Sequence, residues 1–157
     1  MEVSEIEYSK NDIEKGIILP KKVTCDIAYF CGLLAGDGHI DKNYGKKCRH
    51  AVRCEGNQKN EIEFYDKNIK ELVFRCFNVE VKPRYFKDTY GITFMSKAIV
   101  HYLVEVIGLP RGSKYASIKI PNIFKNDKTL LLNFVRGVFD TDFGFCLSKQ
   151  SRKDEIK

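Results

Sequence analysis

Two stretches of this chain, 105 positions apart, carry the same short design, and any fold must accommodate both. Residues 27–40 read Ile-Ala-Tyr-Phe-Cys-Gly-Leu-Leu-Ala-Gly-Asp-Gly-His-Ile, and residues 132–145 read Leu-Asn-Phe-Val-Arg-Gly-Val-Phe-Asp-Thr-Asp-Phe-Gly-Phe. In that register Gly32 falls on Gly137, Leu33 on Val138, Gly36 on Thr141 and Asp37 on Asp142. Each copy reads as a helix with a small residue in its middle and an acid at its end. In the first copy Thr24 is a candidate N-cap. Ile27, Phe30, Cys31 and Leu34 then recur at helical spacing as a core stripe. Ala28, Gly32 and Gly36 recur every four residues on a neighbouring ridge, and Asn133, Gly137 and Thr141 are their counterparts. Glycine inside a helix costs about 1 kcal/mol relative to alanine. Two in one short helix need a compensating reason, and close approach of a second backbone supplies one.

The acids have a chemical reading. The last carbonyls of a helix carry partial negative charge, so an aspartate there is disfavoured. Two such helices packed in parallel through their small ridges would bring Asp37 and Asp142 together, and neighbouring carboxylates repel. A divalent cation reverses that balance. It takes carboxylates and backbone carbonyls, here those of Gly36 and Thr141, as hard oxygen ligands. Such an ion suits phosphodiester hydrolysis, because it polarises the phosphate and lowers the pKa of a water.

The rest of the chain falls into place around the repeat. Residues 1–22 read as an N-terminal extension, closer to a solvated tail than to core, with a short docking segment near its end. Residues 39–42 and 50–56 predict two strands joined by a basic loop. A helix follows, with Ile62, Tyr65, Ile69, Leu72, Val73 and Cys76 on one face. Val79, Val81, Pro83 and Tyr85 then alternate with Glu80, Lys82, Arg84 and Phe86, and Pro83 marks an edge strand or a bulge. Residues 87–89 predict a turn, and Tyr90, Ile92 and Phe94 a further strand. Ser96 caps a helix that Gly108 and Pro110 end. Residues 110–126 form a connector, residues 127–148 the second motif helix and the start of a truncated second domain, and residues 149–157 a tail.

The two motifs, together with this element order, resemble those of the LAGLIDADG (dodecapeptide, DOD-type) homing endonucleases. The resemblance covers residues 24–148. It implies an α+β fold, with an αββαββα domain over residues 23–109 whose antiparallel sheet forms a saddle over DNA. The connector, with Gly-Leu-Pro-Arg-Gly at 108–112, resembles that of archaeal and intein-associated members. In the family the acid at this motif position holds the metal, so the match implies that role for Asp37 and Asp142, with Mg²⁺ or another divalent cation as cofactor and no organic cofactor. A self-splicing element is not expected, since the sequence lacks a splicing Cys or Ser at its first position and His-Asn at its last. The second copy departs from the pattern. Phe143 stands where the first copy has Gly38, a residue that would permit unusual backbone angles, and little chain follows.

Double-stranded DNA is the implied partner, and the charges agree with it. The net charge is +6, which favours a polyanion. Lys42, Lys46, Lys47, Arg49 and Arg53 form one basic group, and Lys82, Arg84 and Lys87 a second. Arginine suits guanine edges and lysine phosphates. Lys82 is the candidate assisting lysine in catalysis, and His39 a candidate neighbour of the cleaved phosphate. The six cysteines contain no Cys-x-x-Cys and point to a reduced, cytoplasmic protein. Cys48, His50 and Cys54 do not match a common zinc spacing, and Cys54 is expected to pack as a small apolar residue. The sequence lacks a run of 18 apolar residues, so a membrane span is not expected. A homodimer that restores two saddles is one expectation. Two rival readings are a catalytically inactive DNA- or RNA-binding remnant of maturase type, and a self-associating structural module.

Overall fold

The computed structural model describes residues 3–41, 50–112 and 119–142, and all of Asp142 but its side chain. Lys42, Lys46, Lys47, Cys48, Arg49 and Phe143 lie outside the described residues. The first motif helix, α2 (Cys25–Gly36), starts where the sequence places its cap: the Thr24 hydroxyl accepts the Ile27 amide at 3.3 Å. Ile27, Phe30, Cys31 and Leu33 have no exposed surface, and Leu34 has 3%. The stripe read from the sequence is therefore core, and Ala28 and Ala35 are buried beside it.

Strand β1 (Gly38–Ile40) follows Asp37 directly, and β2 (Ala51–Asn57) returns antiparallel to it. A helical segment then runs through a wider π-type stretch, Phe64–Ile69, into α3 (Lys70–Phe77). Its buried face is Tyr65, Ile69, Leu72, Val73 and Cys76, as the periodicity requires, while Ile62 is only partly buried. Asn57 ends β2, and its side chain accepts the Lys59 amide in a local turn. Strands β3 (Arg84–Tyr85) and β4 (Thr89–Met95) complete a four-stranded antiparallel sheet in the order β1-β2-β4-β3. β3 is shorter than the alternation suggests, and Lys82 stands in the extended approach to it. Helix α4 (Lys97–His101) is capped by the Ser96 hydroxyl and continues as a π-type stretch, Tyr102–Ile107, to Gly108 at φ 94°. That left-handed cap is where glycine was expected. A short α5 (Asn122–Lys125) and the second motif helix α6 (Lys128–Asp142) follow. The Asp127 carboxylate accepts the Thr129 and Leu130 amides and so caps α6. The αββαββα order is thus present from α2 to α4. Helices cover one face of the sheet through Val52, Cys54, Ile92 and Phe94, all buried.

The leading segment is more firmly attached than a solvated tail. Helix α1 (Lys10–Glu14) begins in a reciprocal cap between Ser9 and Asp12. Ile6, Ile17 and Leu19 are buried, and the Ile18 amide donates to the Phe77 carbonyl at 3.0 Å. Asp12 has no exposed surface. Its Oδ2 accepts the Ser9 amide at 2.8 Å, the Ser9 hydroxyl at 2.6 Å and the Ala98 amide at 3.3 Å, so one carboxylate fastens the segment to the start of α4. Burial pushes its pKa up, but hydrogen bonds from Ser9, Ser96 and Ala98 outweigh burial and hold it below the ordinary 3.8.

A depressed carboxyl pKa stabilises the fold above the unfolded value, and that contribution fades as pH falls through the folded one. Asp12→Ala is expected to lower stability by about 2 kcal/mol at neutral pH. Urea unfolding of wild type and variant should show that gap closing below about pH 4. A gap that persists unchanged at pH 2.5 would contradict this assignment.

Candidate metal and nucleic-acid site

The site is built by the crossing of α2 and α6. A Cβ placed on Gly32 would fall 2.9 Å from the Gly137 Cα and would collide with the Phe134 carbonyl oxygen. A Cβ on Gly137 would meet Gly32 Cα at 2.9 Å and Leu33 N at 2.8 Å, and would collide with the Tyr29 carbonyl oxygen. The obstacles are backbone atoms, which cannot swing aside. Both glycines are therefore required by space, and the carbonyl and glycine contacts on the two sides, Tyr29 with Phe134 and Gly32 with Gly137, are related by the same 105-residue shift as the sequence. Residues ahead of the crossing on both helices, Asp26 and Tyr29 with Asn133 and Arg136, line one groove. A second groove is lined by Ala35 with residues on both sides of Gly137, namely Phe134, Val135, Val138 and Phe139. The first groove sets the leading halves of the two helices beside each other, so the helices run in the same general direction. Asp37 and Asp142 each follow their glycine by five residues, about 7.5 Å of helix rise past the crossing.

The other ridge positions behave differently from one another. Ala28 is fully buried, and Gly36 is partly exposed at the end of α2. Asn133 turns back to the Thr129 carbonyl at 2.9 Å and contributes to the groove rather than to the glycine contact. The Thr141 hydroxyl donates to the Gly137 and Val138 carbonyls at 3.3 and 3.1 Å, so it bonds back onto its own helix. A polar clasp that the sequence did not reveal reinforces the crossing. The Tyr29 hydroxyl donates to Asp140 Oδ2 at 2.7 Å, Arg136 Nε lies 3.6 Å from the same oxygen, and the Arg136 guanidinium sits 5.0 Å from the Tyr29 ring centre. Burial first, and then Asp140, push the Tyr29 phenol well above its ordinary range. The only sequence signal for it is the Arg136–Asp140 spacing of one helical turn.

Asp37 is the C-cap of α2, at φ −88° and ψ 0°, and is half-buried. Gly38 follows it for a reason other than the one expected. Its φ is not positive; a Cβ there would collide with the Leu34 backbone and would lie 2.5 Å from the Leu34 side chain. Asp37 contributes to the electrostatic surroundings of buried Tyr65, whose phenol is pushed up first by burial, then by Cys54, and further by Asp37 and Glu61. Cys54 is 1% exposed and lies 3.7 Å from the Tyr65 hydroxyl, so it packs as expected. No three His, Cys, Asp or Glu side chains among the described residues gather around one point. The donors that α2 offers are a carboxylate and helix-end carbonyls, a hard-oxygen set suited to a divalent cation.

On the sheet face away from the helices, pairing aligns His39 on β1, Arg53 on β2 and Thr93 on β4. His39 lies 3.5 Å from Asp41. Arg84 on β3 is exposed, and Lys87 occupies the β3–β4 turn, 3.9 Å from Asp88. Glu55 and Phe86, absent from the expected set, both touch Arg53. The alternation had already placed Phe86 on the face of Arg84. Lys82 precedes β3, the edge strand farthest from β1, so three strand spacings of roughly 14 Å separate its edge from the strand that follows Asp37. That placement sets Lys82 across the sheet from the strand that follows Asp37.

Family models do not match the chain. Among curated proteins of Methanocaldococcus jannaschii, it is 22% identical over 128 residues to an uncharacterised protein, covering 79% of this chain and 43% of that one. It is 29% identical to a probable translation initiation factor IF-2 (83% of this chain, 10% of the relative) and 32% identical to a replication factor C small subunit (76% and 6%). The chain spans less than half the length of each. Among solved structures it is similar to a variant of I-DmoI in complex with its target DNA, nicked in the coding strand, in the presence of manganese. The TM-score is 0.51 at 18% identity, over 74% of this chain and 60% of that one. The fold is that of the LAGLIDADG homing endonucleases: α+β, with a four-stranded antiparallel sheet backed by helices.

An exposed helical glycine gains up to about 1 kcal/mol on replacement by alanine. At the crossing the sign should reverse: Gly32→Ala or Gly137→Ala is expected to destabilise by about 2 kcal/mol through backbone overlap. A urea midpoint that rises in either variant would contradict the crossing.

Proposed function

We propose that this chain binds double-stranded DNA and, like a homing endonuclease, hydrolyses phosphodiester bonds in it with a divalent cation held at Asp37 and Asp142. The observation that supports it most is the glycine crossing, which sets the two motif helices, carrying Asp37 and Asp142, side by side in one sense. The I-DmoI neighbour is described in complex with its target DNA and with manganese, and the two proteins share their fold. Asp37 and Asp142, with the carbonyls of Gly36 and Thr141, are the proposed ligands, and Mg²⁺ the proposed ion. When bound, the cation would polarise the phosphate, acidify a water and stabilise the leaving oxygen.

The chain's own residues would do the rest. The half-buried cap position of Asp37 restricts its carboxylate to few orientations. The exposed sheet face would track the duplex, with Arg53 and Arg84 near base edges and with Lys82 and Lys87 at phosphates, beside Lys42, Lys46, Lys47 and Arg49 of the basic loop. The small face of α2 is already filled by α6 of the same chain. A homodimer formed through that face would first have to displace α6, so a single chain is the proposed DNA-binding unit. No described helix is long and apolar enough to cross a membrane.

A second reading has one observation in its favour. The exit from α2 leaves no room for a Cβ at Gly38, and the second copy carries Phe143 at the equivalent position. A second acid displaced in this way would leave a protein that binds DNA without cutting it.

The two readings part on one experiment. Wild type is expected to nick or cleave duplexes from a library in Mg²⁺, and Asp37→Asn to lose at least 100-fold in rate while retaining affinity. Equal cleavage by both proteins would remove Asp37 from the site. Salt-dependent binding with no cleavage by wild type would favour the second reading.

A further inference from the structure

We propose that Arg53 reads a guanine close to the cleaved bond and is held ready for it by Glu55 and Phe86. This rests on the DNA-binding role of the sheet proposed above. Arg53 is paired with His39, and His39 is two residues beyond Asp37. Two residues of strand and one interstrand step put the Arg53 Cα about 8 Å from that of Asp37. The base it reaches therefore lies within a few pairs of the phosphate that Asp37 would serve.

The side chain is organised before any DNA arrives. Its Nε lies 3.0 Å from Glu55 Oε1, and its guanidinium carbon 5.4 Å from the Phe86 ring centre. The other Glu55 oxygen accepts the Thr89 hydroxyl at 2.6 Å, which fixes the carboxylate in turn. Arg84 approaches the same ring at 5.0 Å and closes it from a second direction. Rotamer freedom that a solvated arginine would lose on binding is thus already lost here.

This arrangement favours a base over a phosphate. A carboxylate 3.0 Å away offsets much of the field that a phosphate would feel. It leaves directional donors intact. Nε lies beside Glu55 Oε1 without a hydrogen bond to it, so the guanidinium keeps its donors, and its two terminal nitrogens supply a pair of parallel donors that matches guanine O6 and N7. Arg84, which shares the Phe86 ring, has no ion-pair partner among the described residues, so its charge is not offset in the same way.

Binding-site selection from a randomised duplex library, using the full chain, tests the assignment. Wild type should enrich guanine at one position near the cut. Arg53→Lys keeps the charge but loses the fork. It should flatten that one position, weaken binding to the preferred duplex by about 10-fold or more, and leave the other positions unchanged. Glu55→Gln should weaken the same preference yet raise affinity for unrelated DNA, because it removes a negative charge from the DNA-facing surface. Arg53 is half exposed, so Arg53→Lys should melt like wild type. If Arg53→Lys leaves every position unchanged, or lowers affinity equally for all duplexes, the guanine assignment is overturned. If wild type retains no duplex at all, the DNA-binding reading fails and this one falls with it.

Discussion

The metal site proposed for this chain depends on one backbone contact, the crossing of Gly32 and Gly137. At that point neither residue has room for a single carbon more. The contact fixes the separation of two helices and, with their shared direction, fixes where their ends go. Those ends carry Asp37 and Asp142. An aspartate at a helix C-terminus is a local liability, and a second one near it would compound the problem. Under the proposed reading a shared cation offsets that repulsion. The Tyr29–Asp140–Arg136 clasp adds direction to a contact that, being glycine on glycine, has little side-chain interlock of its own.

The crossing also divides the molecule unequally. On the α2 side, Ile27 and Leu34 are buried by the sheet and its helices. Their counterparts on α6, Leu132 and Phe139, are 58% and 41% exposed. The same helix design is thus covered on one side and largely bare on the other among the described residues. The relatives point in a related direction. A region like this chain makes up a tenth or less of two proteins whose names describe unrelated tasks.

Much of the fold was legible in the sequence because its signals were local. Thr24 and Ser96 cap the helices they precede, Gly108 adopts the left-handed cap, and the apolar stripe of α2 is core. The features that were missed depend on contacts between distant segments. Asp12 reads as one more acid in a charged extension, and only its burial against α4 makes it a fastener. Lys82 alternates correctly with its neighbours, but strand order places it across the sheet from Asp37, and periodicity says nothing about strand order. Gly38 was expected for its backbone freedom and is needed for space. Glu55 and Phe86 were visible as sheet residues, but their grip on Arg53 arises from register between β2 and the segment around β3.

The most direct test of the central claim is the position of manganese, located by anomalous diffraction from crystals of the chain with duplex DNA. The glycine crossing predicts one ion shared by the carboxylates of Asp37 and Asp142. Manganese bound elsewhere, or carboxylate oxygens beyond roughly 5 Å from each other with no ion between them, would contradict it.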